Sequence, residues 1–447
     1  MDIYEFQKRL FEKGKQYGFS EMEVFYSSNK STTVSVQNTV VVDYKIAEVL
    51  GLSFRGMYMD KLGYSYSENI SEESIDYILK EALENAQVIE VQDEEELFES
   101  IEQYGSVNAY SESLANLSVE TMIESALQME KTAHQADARV KQVLECNVSK
   151  AVYEVSIMNT KGLNCHSKSS SASAVVYVMA SEDEQAATGF YFDFTLTDFA
   201  RLDVNHIAKT AVAEAVSKLG AVSLPSGSYP IIFRYDTATT LLGSLVSNLS
   251  GENVEKGLSK LQHKLNEKIA GSNIDLFEDP LMVGAPGATT FDAEGFPTRK
   301  TILIKSGTLL SFLHNRKTAK KVGAQSTGNA SKHSYRSTIA VGPHNVYLKP
   351  GRRSVDELVQ STEEGIFIIE LQGTHAGINS VSGDFSLYAG GFLIENGKLT
   401  KPVNQITVSG NIFDLMNHVD ELANDLIIRG NITAPSIKVN RLAISGQ

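Results

Sequence analysis

Histidine and cysteine, the residues that most often hold a catalytic metal, are present in this chain but are poorly spaced for that purpose. A helical metal site needs two ligands on one face, three to five positions apart, and a third ligand from elsewhere. The closest pair of histidines, His333 and His344, is eleven residues apart. Cys146 and Cys165 are nineteen residues apart, and neither belongs to a Cys-x-x-Cys motif. The spacing therefore predicts no metal ligands in this chain.

Serine could supply a nucleophile, but its sequence context argues against that chemistry. The nucleophile elbow of a hydrolase requires Gly-x-Ser-x-Gly, and the nearest cases, Gly63–Ser67 and Ala324–Gly328, each lack one glycine. The stretch Gly284–Gly287 has no Lys-Ser or Lys-Thr after it, which argues against a phosphate-binding loop. We therefore predict no catalytic residue in this chain.

Two polar runs with a glycine are the better candidates for contact with a ligand. Thr327 and Asn329 flank Gly328, and Asp384 and Ser386 follow the Ser382-Gly383 pair. A glycine between small polar residues can expose backbone groups to an extended peptide, or it can merely let the chain turn tightly. Gly-Asp is likewise ordinary turn chemistry. We predict Thr327, Asn329, Asp384 and Ser386 as substrate-cleft residues, and the structural alternative stays open for each.

The order of motifs in the second half resembles the TldD/PmbA family, historically called modulators of DNA gyrase and now regarded as a two-subunit peptidase system. The N-terminal half matches more loosely, around Gly51–Arg55. The segments that carry the resemblance are Phe291–Thr298, Gln325–Ala330, Ser382–Ser386, Gly390–Gly397, Pro402–Val403 and Ile406–Asn411.

The chain departs from that family at the metal site. Catalytic members resemble metallopeptidases with a His-Glu-x-x-x-His helix whose histidines bind the metal, completed by a cysteine near the C-terminal end. At the corresponding place, after a strand at 229–235, this chain reads Gly243-Ser244-Leu245-Val246-Ser247-Asn248. The departure implies the PmbA-like (TldE-like) branch, in which a metal-free subunit pairs with a metal-bearing TldD-like paralogue and acts on small or unfolded peptides. The metal is then expected only in the partner.

Two other functions stay open at this point. The chain could be a homodimeric peptide-binding or regulatory protein without hydrolytic activity, or an independent metalloenzyme with unconventional ligands. Complex formation with the paralogue distinguishes the first of these from the subunit hypothesis, and bound transition metal in the isolated protein would indicate the second.

Charge and composition exclude several classes of partner. The formal net charge of −15 and the isoelectric point near 5.2 argue against nucleic-acid binding, which requires clustered Lys and Arg. The basic run Lys317–Lys321 is interpreted as a solvated helix face without a partner. Two cysteines in 447 residues, a charged amphipathic N-terminus and no long apolar segment predict a cytoplasmic protein without a membrane span.

Hydrophobic periodicity predicts an α+β protein of two domains, 1–220 and 221–447. The first should contain helices and antiparallel strands, with helix N-caps at Ser71 and Ser118, a closing helix over 198–219 and a degenerate helix-then-strands repeat. The second should begin with strand 231–235, followed by a helix capped at Asp236, and become a curved antiparallel sheet. The acidic run Asp93–Glu96 is interpreted as an exposed connection rather than a calcium loop, because it lacks the glycine and the alternating ligands.

Overall fold

The computed structural model describes residues 2–90, 96–101 and 103–447 of the chain. Its first half consists of one long antiparallel sheet and the helices that cover it. The helices are α1 (Ile3–Gln16), α2 (Glu72–Val88), α3 (Glu112–Ala115), α4 (Val119–Ala136) and α5 (Val204–Ser217), with a short 3₁₀ turn at Phe199–Arg201. The strands are β1 (Glu21–Gln37), β2 (Val40–Tyr58), β3 (Lys61–Ser67), β4 (Val140–Asn159), β5 (Asn164–Glu182) and β6 (Gln185–Thr195).

The strand order of this sheet, β3-β2-β1-β4-β5-β6, is symmetric about the β1–β4 pair. On each side of that pair a helix precedes three strands joined as hairpins, and another helix follows them. The predicted structural repeat is therefore confirmed as a repeat of element order.

Each repeat has its own hydrophobic core beneath its two helices. Phe6 of α1 and Ile75 of α2 pack with Phe54 of β2, whereas Met122 of α4 and Ile207 of α5 belong to the cluster that contains strand residues of β4 and β5. All of these named side chains are fully buried. The two cores together attach α1, α2, α4 and α5 to the sheet.

The second half contains a strand-rich body with short helices. Its helices are α6 (Tyr235–Asn248), α7 (Gly251–Glu255), α8 (Arg316–Lys321), α9 (Val355–Gln360), α10 (Thr374–Gly377) and α11 (Ile412–Asn417). Its strands are β7 (Gly227–Phe233), β8 (Leu276–Glu278), β9 (Thr301–Lys305), β10 (Thr308–Leu309), β11 (Ala330–Ser331), β12 (Ala340–Val341), β13 (Val346–Leu348), β14 (Glu364–Gln372), β15 (Asp384–Glu395), β16 (Lys398–Asn411), β17 (Val419–Leu422), β18 (Ile432–Thr433) and β19 (Ile437–Ser445).

The main sheet of this half closes on itself. Its order is β16-β15-β14-β7-β19-β17, and an additional β16–β19 pairing completes a barrel. Leu241 and Leu245 of α6 pack in the same core as the barrel residues Ile231 and Ile366. The predicted curved sheet and the α+β class are thus confirmed. Each sheet draws its strands from one side of residue 220, while the domain boundary itself stays a prediction.

Several strands predicted as separate are continuous. Hydrophobic periodicity predicts strands that end at 147 and 167 and resume at 151 and 174, but β4 and β5 run through both stretches. The polar residues there keep their backbone pairing, for example Ser149 with Ser173 and Lys150 with Ala172. A ladder is formed by backbone groups, so loss of hydrophobic alternation does not end a strand whose neighbour continues.

The N-caps predicted at Ser71 and Ser118 are confirmed, but two other helix starts were wrong. The helix expected over 198–219 begins only at Val204, because the carboxylate of Asp203 accepts the N–H groups of the next turn at 3.0 Å. The cap expected at Asp236 is instead Arg234, and Asp236 lies in the first turn.

Residues 91–95, which contain most of the predicted acidic connection, lie outside the described residues. Glu96 is described: its side chain forms an ion pair with Lys320 at 3.2 Å. Among the described residues we find no helix that is both long enough and apolar enough to cross a bilayer.

Candidate functional site

The segment from Phe291 to Ala330 is organised by a buried carboxylate. Asp292 accepts hydrogen bonds from the backbone N–H groups of Glu294 (2.9 Å), Phe296 (3.0 Å) and Ala330 (3.0 Å). Burial raises the pKa of Asp292, and the neighbouring Glu294 raises it further. The Asp292 side chain therefore stabilises the Gly295 turn and connects it to Ala330, the last residue of the Gln325–Ala330 segment.

Thr327 and Asn329 lie in the interior of the protein. The Thr327 hydroxyl is 2.6 Å from Asn329 Oδ1 and accepts the His314 N–H at 2.7 Å. Asn329 Nδ2 donates to Glu278 Oε1 at 3.0 Å and to the Gly342 carbonyl at 3.1 Å. Both side chains are at most 5% exposed. Their hydrogen bonds hold the Gln325–Ala330 loop against its surroundings.

Glu278, which the sequence analysis did not single out, is the centre of this buried network. Its Oε1 accepts from Asn329 and from the His344 N–H at 2.8 Å, while Oε2 has no hydrogen-bond partner among the described residues. Desolvation raises the pKa of Glu278 to about 7. A glutamate in a three-residue strand, without a motif around it, gives no sequence signal of this kind.

His344 is half-buried, and its Nε2 lies 2.8 Å from the Gly328 carbonyl. A carbonyl only accepts, so Nε2 carries the proton. Burial lowers the pKa of His344, which favours the neutral ring. This histidine positions the Gly328 loop.

Gly328 itself is required by the close approach of that loop to the chain at Pro297. It adopts φ +76°, and a Cβ atom there would lie 2.7 Å from the Pro297 carbonyl oxygen. Gly323, five residues earlier, has φ +66° but open space around it.

We expect Gly328→Ala to destabilise the protein by about 2–4 kcal/mol, because it adds a clash to the left-handed strain. Gly323→Ala should lower the free energy of unfolding by only about 1 kcal/mol, because it adds backbone strain without a clash. Chemical denaturation of the two variants measures the difference. Equal losses would contradict the packing argument.

Asp384 and Ser386 occupy a different surface. They lie at the start of β15 with exposed side chains, opposite Asn411 and Ser409 of β16. The Asp384 carboxylate accepts from the Ser382 hydroxyl at 2.6 Å and from Asn411 Nδ2 at 2.8 Å. These hydrogen bonds lower the pKa of Asp384, so the group presents a negative charge to solvent. The four predicted residues thus form two separate pairs.

The C-terminal end of α6 connects the two pairs. Asn248 Nδ2 donates to the Ser380 carbonyl at 2.6 Å, in the loop before Asp384. The Gly251 N–H donates to the Leu313 carbonyl at 2.8 Å, next to the histidine that contacts Thr327. A substitution at this helix end can therefore affect both the buried pair, Thr327 and Asn329, and the exposed pair, Asp384 and Ser386.

Helix α8 separates two cavities that are large enough for peptide side chains. One, of about 480 Å³, is lined by residues that include Glu294, Phe296, Arg316, Lys320 and Ser326. The other, of about 450 Å³, lies between α8 and the N-terminal sheet, and its lining includes Arg55, Tyr64, Glu252, Lys317 and Lys321. The predicted helix face is confirmed, and its basic residues also form cavity walls.

A second residue that sequence reasoning missed, Lys332, joins the two halves of the chain. Its ammonium group lies 4.7 Å from the ring centre of Phe25 and 5.1 Å from that of Tyr64. It also donates to the Ser53 hydroxyl. Desolvation lowers the pKa of Lys332 to about 7. The contact fixes the Ala330–Ser331 end of the motif onto the N-terminal sheet.

The donor atoms of residues 2–90, 96–101 and 103–447 do not form a metal site. In the described part of the chain, no group of three or more His, Cys, Asp or Glu side chains is arranged to hold one. Both cysteines are buried and unpaired, and burial raises the pKa of Cys146 to about 12. In the segment 243–248, where the resemblance implies the metal helix of catalytic members, Gly243 has no side chain and the Asn248 amide is used internally, since it also accepts the Lys260 N–H at 3.0 Å.

Comparison with family models identifies the class of protein that carries this fold and site. The model for the PmbA/TldA metallopeptidase domain 1 matches residues 22–86, the central-domain model residues 112–219, and the C-terminal-domain model residues 226–446. The chain belongs to the PmbA/TldD family, as the motifs predicted.

Individual relatives extend over nearly the whole chain. It is 26% identical to the metalloprotease PmbA homologue of Buchnera aphidicola, over 96% of this chain and 93% of that protein. The crystal structure of a candidate DNA gyrase modulator from Thermotoga maritima matches with a TM-score of 0.92 and 30% identity, over 99% of this chain and 100% of that one. TldE from Thermococcus kodakarensis shares the fold, with a TM-score of 0.89 and 24% identity, over 99% and 100% of the two chains.

Proposed function

We propose that this chain is the metal-free subunit of a two-subunit metallopeptidase that degrades small or unfolded peptides. The observation that carries the proposal is helix α6. Where the metal ligands of catalytic members are expected, it has Gly243 and an Asn248 whose amide is hydrogen-bonded to Ser380, Ser244 and Lys260 backbone groups. A metal-activated water requires fixed ligands and a nearby base, so the chemistry belongs to a metal-bearing paralogue.

In this proposal the chain contributes a wall of the peptide-binding chamber. The cavities beside α8 accept side chains, and the exposed polar pair Asp384 and Ser386 contacts the peptide. Thr327 and Asn329 act from the interior, because their hydrogen bonds set the position of the loop that borders the first cavity. We propose the cytoplasm as its compartment, on the composition of the chain.

The test is reconstitution. The chain and its His-Glu-x-x-x-His paralogue are purified separately, and elemental analysis is made of each before mixing. We expect a stoichiometric complex that degrades a fluorescent unstructured peptide, no degradation by either subunit alone, and no stoichiometric zinc in this chain. Stoichiometric zinc in the isolated chain, or a paralogue whose activity is unchanged by mixing, would overturn the proposal.

Substitution of the exposed pair separates contact with peptide from assembly. We expect the double variant D384N/S386A in the complex to raise KM at least about fivefold while complex formation stays unchanged, because the two lost surface hydrogen bonds each contribute about 0.5–1.5 kcal/mol. Steady-state kinetics against peptide concentration measures this. The partly exposed Asn404→Ala variant on β16 is the control, and an unchanged KM in D384N/S386A would remove these residues from the cleft.

A further inference from the structure

A third cavity beside α8 differs from the other two in being walled mainly by apolar side chains. It has a volume of about 490 Å³, which is within the range of sites that bury small ligands. Leu265, Leu310 and Val322 on its rim are 46%, 42% and 63% exposed, and an exposed apolar surface of this kind typically marks an interaction site. Its apolar side chains come from separate segments of the second half: Val254, Leu265, Leu310, Phe312 and Val322.

One polar side chain, His314, borders this cavity from the interior. It is 7% exposed, and its ring centre lies 6.4 Å from that of Phe312. Its Nδ1 lies 3.0 Å from the Thr318 hydroxyl, whereas Nε2 has no hydrogen-bond partner among the described residues. Burial lowers the pKa of His314, which favours the neutral ring. A polar atom that is closed off from water without a partner is unfavourable, so a ligand that fills the cavity must supply a hydrogen bond to Nε2.

The ligand that suits both features is an aromatic ring with a neutral hydrogen-bonding tip. The apolar wall and Phe312 can pack against the ring. A phenol hydroxyl both donates and accepts, so it can bond to Nε2 in either tautomer of His314. Glu255 and Lys321, the acidic and basic residues of the lining, form an ion pair with each other. A charged tip would therefore lack a counter-ion in the described lining, which is unfavourable.

The cavity is continuous with the other two around α8. It shares Ala324 and Gln325 with the first, and Thr318 and Lys321 with the second. A residue bound here can therefore continue into a peptide chain on either side. We propose that this cavity binds a tyrosine side chain of the peptide, with the phenol hydroxyl hydrogen-bonded to Nε2 of His314. The origin of the peptide rests on the proposed peptidase role, whereas binding itself is a property of the isolated chain.

The test is an NMR titration of the isolated full chain with three capped tripeptides that differ only in the central residue. These are acetyl-Ala-Tyr-Ala-amide and its counterparts with phenylalanine and alanine. We expect the tyrosine peptide to bind about 3–10-fold more tightly than the phenylalanine peptide, because of one hydrogen bond. It should bind at least about tenfold more tightly than the alanine peptide, because the ring is buried. Three equal affinities would overturn the proposal.

Two variants test the floor and the rim of the cavity separately. His314→Phe keeps a ring but removes Nε2, so the tyrosine and phenylalanine peptides should then bind with Kd values within about twofold of each other. Val322→Asp, at an exposed position, should weaken binding of the tyrosine peptide at least about fivefold, because it places a charge on the apolar rim. Val283→Asp is the matched control, since Val283 is 94% exposed and lies outside this lining, and it should leave the Kd unchanged.

The outcomes also separate this site from the peptidase role. A tyrosine preference that persists in His314→Phe, or equal losses in Val322→Asp and Val283→Asp, would overturn the site. A tyrosine preference that depends on His314, found together with a failed reconstitution, would support the site and remove only the peptidase role.

Discussion

Glu278→Gln is expected to stabilise this protein at pH 8 and to remove part of its pH dependence. The folded-state pKa of Glu278 is raised to about 7 from an ordinary value of 4.5. Its contribution to stability is therefore fully present below about pH 4.5 and is lost as the pH rises through about 7. A buried, ionised Glu278 with an unpartnered Oε2 is the unfavourable state, and glutamine avoids it.

The size of this stabilisation follows from the shift in the pKa of Glu278. A change of 2.5 pKa units corresponds to at most about 3 kcal/mol, and the unpartnered amide of glutamine should offset about 1 kcal/mol of it. We expect the free energy of unfolding of the variant to exceed that of wild type by about 1–3 kcal/mol at pH 8, and the difference to shrink as the pH is lowered to 5. Glutamine keeps an acceptor for Asn329 and His344, so the network survives.

Urea denaturation at several pH values measures the effect. Glu363→Gln, the same change at an exposed position, should alter the free energy of unfolding by less than about 0.5 kcal/mol at every pH. A difference between Glu278→Gln and wild type that does not change with pH would show that Glu278 is not the titrating group.

Asp292→Ala is expected to be the most destabilising change in the motif region, with a loss of about 3–5 kcal/mol. It leaves three buried N–H groups, of Glu294, Phe296 and Ala330, without their acceptor. Asp292→Asn should lower the free energy of unfolding by less, about 1–2 kcal/mol. Its amide oxygen can still accept the N–H groups of Glu294 and Phe296, while its NH₂ group faces the N–H of Ala330.

The exposed carboxylate of Asp384 supplies the control. Asp384→Ala should lower the free energy of unfolding by less than about 1 kcal/mol, because water can accept the hydrogen bonds that Ser382 and Asn411 donate to this carboxylate. Thermal or chemical denaturation ranks the three variants. A ranking in which Asp384→Ala equals Asp292→Ala would mean that burial does not determine the strength of these hydrogen bonds.

Much of the fold was predictable because its signals are local. Ser71 and Ser118 begin helices through contacts within one turn, and the Lys305–Thr308 hairpin is turned by residues with positive φ at Ser306 and Gly307. Strand continuity was not predictable. The serine-rich middle of β5 is a strand because β4 lies beside it in a hairpin, and β4 itself pairs with β1, which comes from a distant part of the sequence.

The candidate site divides in the same way. Its polar residues could be recognised by type, but burial could not: Thr327 and Asn329 are interior because Glu278, His314 and Gly342 surround them. Asp384, equally polar, is exposed because it lies at the start of β15, where alternate residues face outward. Residue type does not distinguish these two environments, since both satisfy the hydrogen bonds of a polar group.

By itself, the sequence determined the family, the helix starts at Ser71 and Ser118 and the missing metal-ligand spacing, because each depends on residues close together in the chain. Only the tertiary structure decided which carboxylates are buried, that Lys332 lies between the two halves, and that the outer side of Val40–Leu50 has no strand beside it in the described part of the chain. Those properties depend on which distant segments meet, and desolvation and strand pairing arise only once they have met.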